Sequence, residues 1–72
     1  MQSSYYRVLV RKDGRVVEAT PSPRSRKGAV EFAEAIAARE PDAEVWAEVV
    51  TQRIERFKTI KPAQHQGGTD GR

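Results

Sequence analysis

Residues 5–20 alternate between polar and apolar side chains on both sides of a central Asp13-Gly14 pair. Alternation with a period of two is typical of a strand whose two faces meet different surroundings. An Asp-Gly pair favours a two-residue turn in which both residues adopt positive φ. The pattern therefore predicts a β-hairpin whose register is fixed by its turn. The expected pairs are Lys12 with Arg15, Val10 with Val17 and Val8 with Ala19.

The two faces of this hairpin differ in polarity. The apolar face consists of Tyr6, Val8, Val10, Val17 and Ala19. The opposite face is basic and mostly polar, and it consists of Arg7, Leu9, Arg11, Val16, Glu18 and Thr20. We expect the apolar face to pack against a helix, and the other face to stay open to solvent unless a partner covers it.

A helix is predicted directly after the hairpin. Pro21 and Pro23 end the second strand, and Ser25 is a suitable N-cap residue. Apolar residues then recur at helical spacing from about Arg26 to Arg39, and Pro41 closes the element. The apolar sector of this helix contains Ala29, Val30, Phe32, Ala33, Ile36 and Ala37.

Residues 43–58 fit two interpretations. As a strand, the segment alternates with a fault near Val49-Val50, which a bulge would explain. As a helix, it has an apolar stripe that contains Trp46, Val49, Val50, Arg53, Ile54 and Phe57. A lone hairpin is marginal in water, and the segment is rich in β-branched and aromatic residues. We therefore favour a third strand and keep a second helix as the alternative.

These elements predict an α+β fold with two layers. A right-handed crossover through the helix places the third strand beside the first and antiparallel to it. The result is a ββαβ arrangement in which one helix covers one face of a three-stranded antiparallel sheet of order 2-1-3. We expect a single domain over residues 5–58 and a flexible C-terminal tail over residues 59–72.

The composition argues against an enzyme. A chain of 72 residues supports one thin core and leaves little room for a cleft that excludes water. It contains no cysteine, and its single histidine, His65, falls in the predicted tail. Glu31 and Glu34 share an exposed helical face, as solvated carboxylates commonly do, and Ser22 and Ser25 have no nearby histidine to activate them. We therefore predict a non-catalytic protein with no metal site and no cofactor.

Charge is distributed unevenly around a net value of +3. Residues 1–27 carry seven basic and two acidic side chains, residues 28–48 carry one and six, and residues 49–72 carry five and two. Such segregation bears on association with charged partners. The first four residues lack the features of a secretory signal, and no apolar run is long enough to cross a bilayer, so we expect a cytoplasmic protein.

Part of the chain resembles a family of small bacterial ββα domains of unknown function that often occur as tandem repeats. The matching residues are Asp13-Gly14, Val16-Val17, Ser25 with Lys27 and Ala29, and Pro41-Asp42-Ala43. The resemblance covers roughly residues 5 to 45 and implies the fold, but no chemistry, because that family has no established activity. The abundance of Arg, Ala, Val and Glu is similar to that in proteins of GC-rich actinobacteria and their phages.

The features so far favour a small interaction or regulatory protein, encoded by a phage or mobile element, that binds a protein partner or a second copy of itself. The expected contact uses the outer face or an edge of the sheet, where unpaired strands and apolar side chains invite pairing. The candidate contact residues are Tyr5, Leu9, Val16 and Trp46.

A nucleic-acid-binding protein is the alternative. Basic side chains are expected on the outer hairpin face, at the hairpin tip and in the connection that leads to the helix, and such a surface suits phosphate groups. The residues of this alternative site are Arg7, Arg11, Lys12, Arg15, Arg24, Arg26 and Lys27.

Overall fold

The computed structural model describes residues 3–62, which form a four-stranded antiparallel sheet with one helix on one face. The strands are β1 (Tyr5–Lys12), β2 (Arg15–Ala19), β3 (Glu44–Val50) and β4 (Ile54–Lys61), and the helix is α1 (Arg26–Arg39). The spatial order of the strands is β2-β1-β3-β4. The predicted α+β class with an antiparallel sheet is therefore confirmed.

The first hairpin has the predicted turn and the predicted register. Asp13 and Gly14 have φ angles of 56° and 76°, as a two-residue turn between twisted strands requires. The strand pairs are those expected from the alternation, from Lys12 with Arg15 at the turn to Val8 with Ala19 at the far end. Because glycine has no Cβ, it adopts this left-handed conformation at the second turn position without steric cost, and two residues are enough to join the strands.

Helix α1 begins and ends at the predicted residues. The backbone N–H of Gly28 donates a 3.0 Å hydrogen bond to the hydroxyl oxygen of Ser25, which confirms Ser25 as the N-cap. At the other end, the ammonium of Lys61 donates a 2.8 Å hydrogen bond to the carbonyl oxygen of Glu40. A cation here satisfies one of the free carbonyls at a helix C-terminus and complements the helix dipole.

The carboxylate of Glu40 also binds the end of strand β1. The ammonium of Lys12 lies 3.1 Å from this carboxylate and donates a hydrogen bond to it. That hydrogen bond and the negative charge of Glu40 raise the pKa of Lys12 above its usual value. The tip of the first hairpin is therefore held near the C-terminal end of α1.

The core lies between α1 and the three strands β1, β3 and β4. Its centre is formed by small and β-branched side chains, of which Val8 and Val45 are the largest that are fully buried. Larger side chains, including Tyr6, Phe32 and Phe57, close its margins. Alanines on the buried helix face let α1 approach the sheet closely, so a short chain closes its core with few large residues.

Strand β2 lies beyond the cover of the helix, because α1 packs on β1, β3 and β4. Val17 was expected on the buried apolar face of the hairpin. It does occupy that face, opposite Val10, yet it is 56% exposed. The expectation of burial fails here because a single helix is too narrow to cover all four strands.

The prediction of one long third strand is wrong, because the sheet has four strands rather than three. The predicted order 2-1-3, with the third strand antiparallel to the first, is retained within the observed order 2-1-3-4. Residues 44–61 form two strands joined by a turn at residues 51–53, in which the N–H of Thr51 donates to the carbonyl oxygen of Arg53. The fault expected near Val49-Val50 is this reversal, after which β4 pairs with β3. The alternative of a second helix is also wrong. The turn carries no glycine, proline or asparagine, so the usual sequence signal for it is absent.

The end of the domain lies later in the chain than expected. Strand β4 continues to Lys61, so residues 59–61 belong to the sheet rather than to the predicted tail. Pro62 follows the strand, and residues 63–72 of the predicted tail, with His65, lie outside the described residues. Within the described part of the chain, no helix is long and apolar enough to cross a membrane.

Replacing Ser25 with alanine is expected to destabilise the fold by about 1 kcal/mol, because the Gly28 N–H loses its partner at the helix start. Urea denaturation measures the change in the free energy of unfolding. Ser22→Ala, at an exposed serine of the same connection, is the matched control and should change it by less than about 0.5 kcal/mol. Equal effects of the two substitutions would contradict the capping role.

Candidate functional site

Strands β1 and β3 carry complementary sequences on the face that the helix leaves uncovered. On this outer face, β1 presents Arg7, Leu9 and Arg11, whereas β3 presents Glu48, Trp46 and Glu44 in the opposite direction. The antiparallel register places each arginine opposite a glutamate, and it places Leu9 opposite Trp46. Opposite charges and large apolar groups in direct cross-strand pairs stabilise this pairing of strands that are far apart in sequence.

Glu48 links β3 to β1 through one carboxylate oxygen and holds Trp46 of its own strand through the other. One oxygen accepts a 2.8 Å hydrogen bond from Nε of Arg7, and the other accepts a 2.8 Å hydrogen bond from the indole N–H of Trp46. The side chain of Glu48 is largely buried, so these charge-assisted bonds offset the cost of removing its charge from water. A weaker contact at 4.0 Å links Arg7 to Glu18 on β2.

Two arginines from the strands on either side of β3 cover the ring of Trp46. The guanidinium carbon of Arg56, on β4, lies 4.0 Å from the ring centroid, and that of Arg11, on β1, lies 5.6 Å away. Glu44 holds both arginines in place, with N···O distances of 3.3 Å to Arg11 and 3.7 Å to Arg56. Each of the two guanidinium groups is thus stabilised both by the π-face of the ring and by a carboxylate.

We call this group the tryptophan cluster, and its members are Arg7, Leu9, Arg11, Glu44, Trp46, Glu48 and Arg56. Trp46 is only 3% exposed and Leu9 only 6%, although no helix covers them. The expectation that the outer face is open at Leu9 is therefore corrected. Leu9 lies opposite Trp46, and two arginine side chains lie over that ring. Trp46 does point away from the helix, but it is buried within its own sheet and offers little surface to a partner.

Exposed apolar side chains on the outer face lie at its two ends. Tyr5 is 53% exposed and forms a cross-strand row with Val50 and Ile54. Val16 is 47% exposed and lies opposite Arg11, near the hairpin turn. Six residues of strand separate these two places, a distance of about 20 Å. Of the four predicted contact residues, Tyr5 and Val16 are therefore accessible, but they do not form one patch.

Strand β2 combines exposed apolar side chains with a free sheet edge. Val16 and Val17 point to opposite faces and are each about half exposed. Since β2 pairs only with β1, the backbone groups on its other side have no partner among residues 3–62. An uncovered edge of this kind is a template for a further strand.

The seven predicted nucleic-acid residues do not form one surface. Arg7 and Arg11 are ion-paired with glutamates of the tryptophan cluster, so the outer face has little excess positive charge. Lys12 is bound to Glu40 at the C-terminal end of α1. Of these seven residues, Arg15, Arg24, Arg26 and Lys27 lack an ion pair within residues 3–62.

These four basic residues are split between opposite ends of the molecule. Arg26 lies over the ring of Phe57, 4.1 Å from its centroid, and Phe57 packs edge-on against Tyr6 near the start of β1. Arg15, by contrast, follows the hairpin turn at the far end of the same strand. A single nucleic-acid backbone crossing the outer face would therefore not meet both groups without passing the tryptophan cluster, whose arginines are ion-paired with Glu44 and Glu48.

The side chains considered for catalysis are exposed or engaged in helix capping. Within residues 3–62, no group of three or more acidic or histidine side chains could hold a metal ion. Glu31, Glu34 and Ser22 are exposed, and Ser25 is occupied in capping α1. The chemistry of these side chains is accounted for by solvation and by helix capping.

No protein-family model, no curated protein and no solved structure matches the chain. What bears on its function is therefore the geometry of its own surfaces. Among these, the outer face is sealed over the tryptophan cluster, whereas the edge at β2 is open.

The sequence contains a signal for the tryptophan cluster that the alternation of polar and apolar residues does not reveal. The segments Arg7-x-Leu9-x-Arg11 and Glu44-x-Trp46-x-Glu48 have opposite charges at the same spacing around a large apolar residue. Once β3 is placed antiparallel to β1, this match predicts the register directly. Arg56 has no comparable signal, because no typical turn residue marks the reversal that separates β4 from β3.

Replacing Glu48 with glutamine is expected to lower the free energy of unfolding by about 1–3 kcal/mol, because Arg7 loses the buried charge that faces it. Glu18→Gln is the matched control, since Glu18 is more exposed and lies 4.0 Å from the same arginine. That substitution should cost less than about 0.5 kcal/mol. Urea denaturation followed by Trp46 fluorescence measures both, and equal values would contradict a central role for Glu48.

Proposed function

We propose that this chain is a non-catalytic interaction protein that binds a protein partner by adding a strand to the open edge of its sheet at β2. The observation that carries the proposal is the combination of a free edge with Val16 and Val17, which are 47% and 56% exposed on opposite faces of that edge. Main-chain hydrogen bonds would supply affinity, and the two valines would supply apolar contact.

The other sheet edge is less suited to a partner. Strand β4 has two register irregularities against β3, and its side chains include Lys58 and Lys61. Bulges and lysines are the devices by which natural edge strands avoid pairing with other chains. Strand β2 has a regular register against β1 and apolar residues at its centre. The contrast favours β2 as the edge that is used.

The distribution of charge also favours protein association over nucleic-acid binding. The arginines of the outer face are neutralised by Glu44 and Glu48. The unpaired basic residues at the start of α1 are separated from the hairpin tip by the length of β1. Binding of a phosphate backbone depends on several cations that act together along one track.

A photo-activated cross-linker in place of Val17 tests the proposed edge. In the native host, we expect this variant of the full chain to give discrete covalent adducts with a protein, because the cross-linker would lie at the pairing edge. The same cross-linker at Glu34, which is exposed on α1, is the control and should give none of these adducts. The proposal fails if position 17 gives no adduct, or if both positions give the same ones.

A further inference from the structure

The turn of the first hairpin determines which backbone groups of β2 face the open edge. The residues that flank a two-residue turn form a hydrogen-bonded pair, here Lys12 and Arg15. Hydrogen-bonded and non-hydrogen-bonded pairs alternate along an antiparallel ladder. Val17 therefore turns its N–H and C=O groups toward β1. Val16 and Glu18, on either side of it, turn theirs toward the open edge.

These outward groups are arranged so that β2 can pair with a second copy of itself. We propose that two copies of the chain join antiparallel through β2, with Val17 of one copy opposite Val17 of the other. In this register, Val16 of each copy pairs with Glu18 of the other, and all four of the backbone groups of these two residues find partners. The inference rests on the proposed function and identifies its partner as a second copy.

Other registers of the same pairing are less favourable. A shift of two residues toward the end of β2 would place Glu18 directly opposite Glu18 of the second copy, and like charges at this position repel. A shift of two residues the other way would require Glu18 to pair with Gly14, which lies in the turn. Pairing centred on Val17 avoids both problems, and it opposes no like charges.

The side chains on the helix face support the same register. Val45, Val10 and Val17 form one row across β3, β1 and β2. Exposure rises along this row, from none at Val45 to 56% at Val17. A second copy would continue the row through its own Val17, and would bury the side chain that the helix leaves uncovered. Because α1 does not pack on β2, the two helices would have room on the same side of the joined sheet.

Disulfide trapping tests this register directly, because the chain has no cysteine of its own. Residues opposite each other in a non-hydrogen-bonded pair have Cα atoms about 4.5 Å apart, which a disulfide can span. Val17→Cys in the full chain is therefore expected to form a covalent dimer under mild oxidation. Val16→Cys is the matched control, since the two copies of residue 16 would lie about 8 Å apart, which is beyond disulfide reach.

We expect Val17→Cys to dimerise about ten-fold faster than Val16→Cys, although both positions are exposed. Sedimentation equilibrium of the wild-type chain should show a mass that rises toward twice the monomer mass with concentration, and Val17→Glu should remain a monomer. Faster linking through Val16→Cys, or equal rates for the two variants, would overturn the register.

Failure of self-pairing is distinguishable from failure of the proposed function. If the wild-type chain stays monomeric at all concentrations, the second copy is not the partner. In that case, adducts of the Val17 cross-linker with a different protein would leave strand addition at β2 in place and overturn only the self-pairing. A chain that stays monomeric and also gives no adduct through the Val17 cross-linker would overturn both proposals.

Discussion

The pairing of Leu9 with Trp46 between β1 and β3 is the contact on which the sheet depends. These strands are separated by the second strand and the whole helix, so their register has to be specified by side chains rather than by a short turn. Arg7 with Glu48 and Arg11 with Glu44 flank the apolar pair on both sides. A slip by two residues would separate the aromatic ring from its partner and oppose charges to apolar groups.

The side chains around this contact also cover the face of the sheet on which no helix packs. A sheet with one helix leaves its second face to water, and this chain has no further element among residues 3–62 to cover it. Arg11 and Arg56 instead lie over Trp46. Glu44 forms ion pairs with both arginines, and Glu48 accepts a hydrogen bond from the indole N–H. The long side chains act as the second layer. Because these side chains close the middle of the outer face, the accessible apolar side chains lie at the edge formed by β2 and at the end near Tyr5.

The sequence predicted those parts of the fold that are determined by residues close together in the chain. The turn at Asp13-Gly14, the cap at Ser25 and the limits of α1 follow from residues within a few positions of each other. The reversal after Val50 has no such signal, and the division into β3 and β4 was missed. Val16 and Tyr5 were correctly expected to be accessible. The burial of Leu9 was not expected. Leu9 lies opposite Trp46, and Arg56, which covers that ring, comes from the fourth strand.

Quenching of the fluorescence of Trp46, the single tryptophan, by acrylamide tests the sealed outer face most directly. The native chain should be quenched about ten-fold less than the unfolded chain in urea, because the ring is buried beneath two arginines. Arg56→Gln should increase quenching in the folded chain, whereas Arg53→Gln, at an exposed arginine of the neighbouring turn, should not. Native quenching close to that of the unfolded chain, or equal effects of the two substitutions, would contradict the account.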